Sequence, residues 1–204
     1  MMILLFVLQI LPAQESYTYE TNDKGKIGTM EVTVQKESLG YHVVYTWEDR
    51  ILELIFDSLD MSTIYVKKTI GEKLELEIKK EKKFNVLFKG RKFSYRADKP
   101  IYDRHAIEYA LRAFNYDVRK KFTIKFHVPE FMVINAEINV LGEEIISCPL
   151  GDIACWKVEM VPKVLFLKWR FYFWIEKDYS KRFIKYTDSS GKNSILLIDY
   201  ARVD

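Results

Sequence analysis

The sequence predicts a mainly β protein: a large curved antiparallel sheet, a half-barrel or open barrel, with one amphipathic helix packed on its concave face. Apolar and polar residues alternate with period two through most of the chain, which is typical of half-buried strands. The 204 residues include only 5 Pro and 8 Gly, which favours long strands joined by short turns. A single segment, residues 103–116, replaces the alternation with helical spacing.

The N-terminal segment contains an apolar run at residues 3–11. This run is too short to span a bilayer but suits the core of a signal peptide, and Ala13 offers a small residue at the cleavage site. We therefore expect residues 1–13 to be a signal peptide and residues 14–204 a single antiparallel β domain, periplasmic or secreted from a bacterial cell, without a transmembrane segment in the mature chain. The alternative is a first buried strand, because no Lys or Arg precedes the run.

Turn-forming residues divide the first half of the chain into strands. The clearest turns are Asn-Asp-Lys-Gly at residues 22–25 and Ser-Leu-Gly at residues 38–40. In the charge-dense residues 72–83, apolar residues alternate with charges of both signs, which indicates the solvated face of a strand rather than a surface for an anionic partner. We predict strands at residues 14–22, 26–36, 40–57, 61–70, 73–80, 83–89 and 91–97.

The helix begins at Asp103, a good N-cap, and its apolar stripe consists of Ile107, Ala110, Leu111 and Phe114. The most regular strand pattern follows later, at residues 165–175, where apolar residues occupy every odd position. We predict strands after the helix at residues 120–128, 131–140, 143–148, 153–161, 164–176, 181–187 and 193–203.

The two cysteines, Cys148 and Cys155, flank a predicted hairpin turn at Gly151-Asp152. In that register they lie directly opposite each other, so a disulfide is one expectation for an exported protein. The other is a pair of free thiols, because the same register places the cysteines at a hydrogen-bonded site where side chains diverge. The spacing is not that of a metal site.

Composition and motifs argue against several functions. The 32 basic and 29 acidic residues are nearly balanced, which argues against a nucleic-acid surface. His42, His105 and His127 lie in separate segments and are expected on the surface rather than as catalytic bases or metal ligands. Acidic pairs at residues 143–144 and at residues 57 and 60 do not define a glycosidase cleft. We therefore predict no enzymatic activity, cofactor or metal.

Several segments of the second half, residues 102–200, carry a resemblance to a known family. The first is a predicted helix that starts at Tyr102-Asp103 and ends at Leu111-Arg112. The others are Val-Leu-Gly-Glu-Glu at residues 140–144, the segment 151–158 with Cys155 and Lys157, and Trp-Ile-Glu-Lys-Asp at residues 174–178. The chain resembles a family of uncharacterised exported bacterial proteins, domain of unknown function 3108. The resemblance implies a curved sheet with a helix, similar to periplasmic lipoprotein carriers and lipid-binding half-barrels, and implies no catalytic residues.

The apolar face of the sheet is the feature that suggests a function. A groove between the sheet and the helix would suit a lipid, an acyl chain or a lipidated protein. We expect its lining to include Trp169, Phe171, Phe173, Leu111 and Phe114. Two alternatives remain open: the aromatic residues simply form the core, or the chain is a cell-envelope interaction or structural module that binds a protein by strand addition. A hydrolase with a carboxylate pair is the third class.

Overall fold

The computed structural model describes residues 14–38, 40–96, 100–128, 132–164, 169–178 and 180–203. The predicted signal peptide at residues 1–13 lies outside them. The first half of the described chain contains β1 (Gln14–Asp23), β2 (Lys26–Lys36), β3 (Gly40–Trp47), β4 (Arg50–Asp57), β5 (Thr63–Ile70), β6 (Lys73–Lys80), β7 (Lys83–Phe88) and β8 (Arg91–Arg96). The second half contains β9 (Tyr102–Asp103), a 3-10 turn (Arg104–Ala106), α1 (Ile107–Arg112), β10 (Lys121–Val128), β11 (Met132–Cys148), β12 (Gly151–Pro162), β13 (Phe171–Glu176), β14 (Phe183–Asp188) and β15 (Asn193–Val203).

All fifteen strands form one sheet, which confirms the mainly β prediction. From β8 the order runs back through the first half to β1, continues to β15, and then runs back through the second half to β9. The strands that carry the two ends of the described chain are therefore neighbours in the middle of the sheet, where Gln14 pairs with Val203. The pairs are antiparallel, except that β9 is parallel to β10.

Side-chain alternation gives the sheet one buried face. Along β2, for example, Met30, Val32 and Val34 are buried while the residues between them are exposed, and the buried sets of neighbouring strands join in one core. Gly40 shows how closely the backbones pack, because a Cβ at this position would lie 1.7 Å from the carbonyl oxygen of Phe56. Only glycine fits this approach.

The sheet is open and curved, and its two ends approach each other. Tyr95 of β8 stacks on His127 of β10 with ring centroids 5.5 Å apart. The segment that includes β9 also contacts β5. The Thr63 amide of β5 donates to the Ile101 carbonyl at 3.0 Å, and the Asp103 amide donates to Thr63 Oγ1 at 2.9 Å. In the described structure no ladder of backbone hydrogen bonds joins the edge strands β8 and β9 to each other. The two edges are connected instead by the ring contact and by the segment that precedes β9.

Strand boundaries differ from prediction in three places. The predicted strand at residues 40–57 is two strands, since Glu48, at φ 51°, turns the chain. The two strands predicted at residues 131–140 and 143–148 form the single β11, which crosses Gly142 through a register shift and does not end there. The strand predicted at residues 164–176 is described as β13 from Phe171 onward, and residues 165–168 lie outside the described part.

The helix is much shorter than the predicted residues 103–116. Asp103 is the N-cap, as expected: it begins the 3-10 turn that leads into α1, and its side chain accepts from the His105 amide at 2.9 Å. The α-helical part, however, ends at Arg112. There the turn tightens, because the amides of Ala113 and Phe114 donate to the carbonyls of Ala110 and Leu111, three residues back, at 3.1 and 3.3 Å. Nearly all side chains of α1 are buried, including Arg112, so an amphipathic helix with a solvent face is not confirmed.

The hairpin between β11 and β12 turns at Pro149-Leu150, not at Gly151-Asp152, so the predicted register is wrong. Proline favours the first central position of a turn, and Gly151 follows it with φ 107°. Cys148 consequently pairs with Gly151, and Cys155 pairs with Glu144. Both cysteines are free, and the predicted disulfide is absent from the described structure.

The two thiols should differ sharply in reactivity. Cys155 is fully buried, and burial raises the pKa of its thiol to about 12, whereas Cys148 is partly exposed. Because the thiolate is the reactive form, we expect one thiol to react quickly with Ellman's reagent at pH 8 and the second only after denaturation. The Cys148→Ser variant should lose the fast phase. Two slow thiols, or a disulfide found by mass spectrometry of the non-reduced protein, would contradict this structure.

Candidate functional site

A cavity of about 630 Å³ lies on the buried face of the sheet, at one end of its strands. It is bordered by the turns after β1 and β3, by the start of β15 and by the segment that leads into α1. Its size is that of a site for one small or medium-sized ligand. Buried apolar side chains from several strands and from α1 line it, among them Met30, Leu52, Ile107, Phe126, Met160 and Phe183.

One wall of the cavity is aromatic, and three of the residues predicted from the sequence lie in it. Trp169, Phe171 and Phe173 all line the cavity. Tyr186 of β14 joins them, with its ring centroid 6.2 Å from that of Phe171 and 5.3 Å from that of Phe173. Trp169 remains 41% exposed. The wall therefore runs from the buried core to the surface, and a ligand role for these three residues stays a prediction.

The other two predicted lining residues lie in the core, outside the cavity lining. Leu111 is completely buried in α1. Phe114 packs beyond the end of the helix, with ring centroids 4.5 Å from Phe122 and 6.1 Å from Tyr102. The prediction placed them in the groove because it assumed a longer helix lying on the sheet.

Glu108 is the acidic group of the cavity wall closest to the helix start, and sequence reasoning missed it. It is the second residue of α1, and its Oε1 accepts from the Tyr45 hydroxyl at 2.6 Å. Burial raises the pKa of Glu108 to about 7, although the Tyr45 hydrogen bond acts in the opposite direction. The wall thus carries a carboxyl group that changes charge near neutral pH.

A buried ion pair lies on the other side of α1, where Arg112 meets Glu15 of β1. The guanidinium donates to the two carboxylate oxygens at 3.1 and 3.3 Å and to the Ser180 carbonyl at 2.8 Å. It also lies over the rings of Tyr17 and Tyr109, 5.7 and 5.3 Å from their centroids. Burial lowers the pKa of Arg112, but the paired Glu15 carboxylate acts in the opposite direction and the pKa is raised overall, so the group stays charged. This pair fastens the helix to the middle of the sheet.

Two of the three histidines do not lie on the surface as predicted. His105 Nδ1 is 2.7 Å from Asp103 Oδ1, and the fully buried ring of His127 places Nδ1 3.0 Å from Asp103 Oδ2. Although burial by itself would raise it, the two histidines hold the pKa of Asp103 well below its usual range. His42, half-buried, contacts Glu53. Asp103 therefore joins the start of the helix to β10.

Within the described ranges, no group of three or more His, Cys, Asp or Glu side chains is arranged to hold a metal ion. Among the described residues, no helix is long and apolar enough to cross a membrane.

Comparison with known proteins gives one family match. The model of the family described as a protein of unknown function, DUF3108, matches residues 14–197. It covers both halves of the sheet, whereas the resemblance seen in the sequence was confined to the second half. No curated protein matches the chain.

The solved structures include a β-barrel-like protein of the domain of unknown function DUF1849 from Brucella abortus, with 13% identity and a TM-score of 0.63 over 96% of this chain and 100% of that one. MucB of Pseudomonas aeruginosa, in complex with MucA, has 13% identity and a TM-score of 0.38 over 92% of this chain and 51% of that one. A Bacteroides fragilis protein described as exported, with a YmcC-like fold, has 12% identity and a TM-score of 0.33 over 94% and 98%. The first similarity supports the fold; the other two are too weak to support more.

Proposed function

The chain belongs to the DUF3108 family. We propose that it is a bacterial envelope protein that holds a hydrophobic ligand, such as a lipid or acyl chain, in the cavity at one end of its strands. The observation that carries this proposal is the cavity itself, which is about 630 Å³ in volume and has the contacting rings of Phe171, Tyr186 and Phe173 in one wall. Contact with hydrocarbon and aromatic side chains favours a ligand with a large apolar surface.

We propose binding rather than catalysis, because apolar side chains dominate the surface that would surround a ligand. A periplasmic or secreted location is part of the same proposal. The apolar run at residues 3–11 supports it, since it has the length of a signal-peptide core.

A second candidate function is binding of an envelope protein. Leu141 and Ile145 of β11 favour it, because they are 51% and 69% exposed and such residues can contribute to an interface. Strand addition at β8 is less favoured, since this edge strand carries Arg91, Lys92 and Arg96, and basic residues hinder edge pairing. Copurification of one defined protein with no lipid would favour this second function.

Filling the cavity tests the first function. Gly28 lines the cavity and lies on the same face of β2 as Met30, so the Gly28→Leu side chain would project inward. It would meet the cavity-lining Thr21 Oγ1, which is 3.2 Å from the position of a Cβ and would have to shift by a few tenths of an ångström. We expect this variant to bind the apolar fluorophore N-phenylnaphthylamine about tenfold more weakly than the native protein, a loss of about 1.4 kcal/mol.

The matched control is Thr33→Leu, on the exposed face of the same strand, which should leave binding unchanged. Lipid extraction and native mass spectrometry of protein recovered from the periplasm would then identify the natural ligand. A native protein that neither carries a lipid nor binds the fluorophore would refute the proposed function.

A further inference from the structure

The Glu108 carboxyl group is in an unusual position for an acidic side chain. It lies in the cavity lining beside buried Ile107 and buried Tyr45. One of its oxygens is held by the Tyr45 hydroxyl at 2.6 Å. Among the described residues, no Lys or Arg forms an ion pair with it. A carboxylate in an apolar wall is costly when no positive charge accompanies it.

The groups that face Glu108 from the surrounding elements do not supply that charge. Tyr45 of β3, Tyr19 of β1 and Tyr186 of β14 are neutral phenols, and Asp103 adds a second negative charge. Lys26, Arg50, Arg104 and His105 also line the cavity. Lys26 is paired with Glu48 at 2.5 Å and His105 with Asp103 at 2.7 Å, and neither arginine is among the groups whose charge acts on Glu108. The open space of the cavity is therefore where a cation could approach the carboxylate.

We infer that Glu108, oriented by Tyr45, recognises the head group of the ligand, and that this ligand is an amphiphile with a protonated amine joined to an apolar chain. The inference rests on the proposed function. An ammonium group offers three donors, and its attraction to a carboxylate is strong where water is excluded. The chain would then lie along Phe171 and Phe173. A ligand carboxylate, in contrast, would place two negative charges together unless they shared a proton.

The choice of ligand makes this inference testable. Dodecylamine, dodecanol and dodecanoate have the same chain and differ in the head group. We expect dodecylamine to displace N-phenylnaphthylamine from the native protein at pH 8 with roughly tenfold to hundredfold higher affinity than dodecanol, as for a hydrogen bond to a charged group. Dodecanoate should bind no better than dodecanol.

The matched variants are Glu108→Gln and Glu53→Gln. Glu108→Gln should lose the preference for the amine and keep its affinity for dodecanol, which also shows that the cavity is still folded. Glu53 lies on the opposite face of β4, between buried Leu52 and Leu54, so its replacement should preserve the preference. In the native protein the preference should weaken between pH 8 and pH 6, as Glu108, with a pKa of about 7, takes up a proton.

The outcomes separate the two proposals. If all three amphiphiles bind the native protein equally well, or dodecanoate binds best, the inference is wrong and the proposed function stands. A preference for the amine that persists in Glu108→Gln, or that is unchanged at pH 6, also overturns the inference. If neither the fluorophore nor any of the three compounds binds, the proposed function itself fails.

Discussion

Replacing Arg112 by methionine is expected to lower the free energy of unfolding by about 3 to 5 kcal/mol. The reason is the position of its partner. Glu15 is completely buried, and without the guanidinium its carboxylate would keep only weaker contacts, such as the one to the Tyr200 hydroxyl at 3.2 Å. Methionine fills a similar space, so the main loss is electrostatic rather than a cavity.

Chemical denaturation followed by far-UV circular dichroism measures this effect. Two further variants identify its cause. Replacing both partners, in Glu15→Leu with Arg112→Met, should recover much of the loss, because a buried ion pair replaced by apolar residues is often close to neutral. Lys26→Met, which breaks the exposed pair with Glu48, should change stability little. A single Arg112→Met variant as stable as the Lys26→Met control would refute the structural role assigned to the buried pair.

The second large effect is expected for Asp103→Ala, with a loss of about 3 kcal/mol at pH 7. About 1 kcal/mol of this comes from the N-cap bond to the His105 amide, and the rest from leaving the buried His127 ring without its partner. The carboxylate is fully buried, so bulk water does not compete for its hydrogen bonds.

The pH dependence of this effect has a definite sign. Because the pKa of Asp103 is lowered in the folded protein, its contribution is present above the ordinary aspartate pKa of about 3.9 and is lost as the pH falls toward the lowered value. The difference between native protein and Asp103→Ala should therefore still be present near pH 5 and should narrow below about pH 4. Asp117→Ala, at an exposed carboxylate, serves as the control with a small effect. A gap that widens in acid would contradict the assignment.

The sequence predicted the sheet well because its signal is local. Alternation along β2 or β6 is visible in any short window, and a buried face requires it. Strand order is not local. Nothing in residues 14–23 indicates that they pair with residues 193–203, since that depends on how far the sheet curves. The absence of a solvent-exposed face on α1 was not local information either, because it depends on the strands that enclose the helix.

The candidate site was predictable on its aromatic side and missed on its charged side. Trp169, Phe171 and Phe173 were predicted from their regular spacing, and the structure places them in the cavity lining. Glu108 and Arg112 were overlooked because charged residues four apart on a helix usually face solvent. A signal for the ion pair did exist, since Glu15 has the same parity in β1 as Tyr17 and Tyr19, and an acid in a row of buried residues needs a partner. Its identity required the structure.

The pairing of β1 with β15 has a consequence for how the protein reaches this fold. Most other strands pair with their neighbour in sequence, so each half of the sheet can form as a meander, strand after strand. Bringing β1 to β15 instead closes a loop of nearly the entire chain, and the entropy of that closure is lost before its contacts form. We therefore expect the pairing of β1 with β15 to be the step that limits the folding rate. Until this pairing forms, one edge of β1 and one edge of β15 are unpaired and can associate with other molecules.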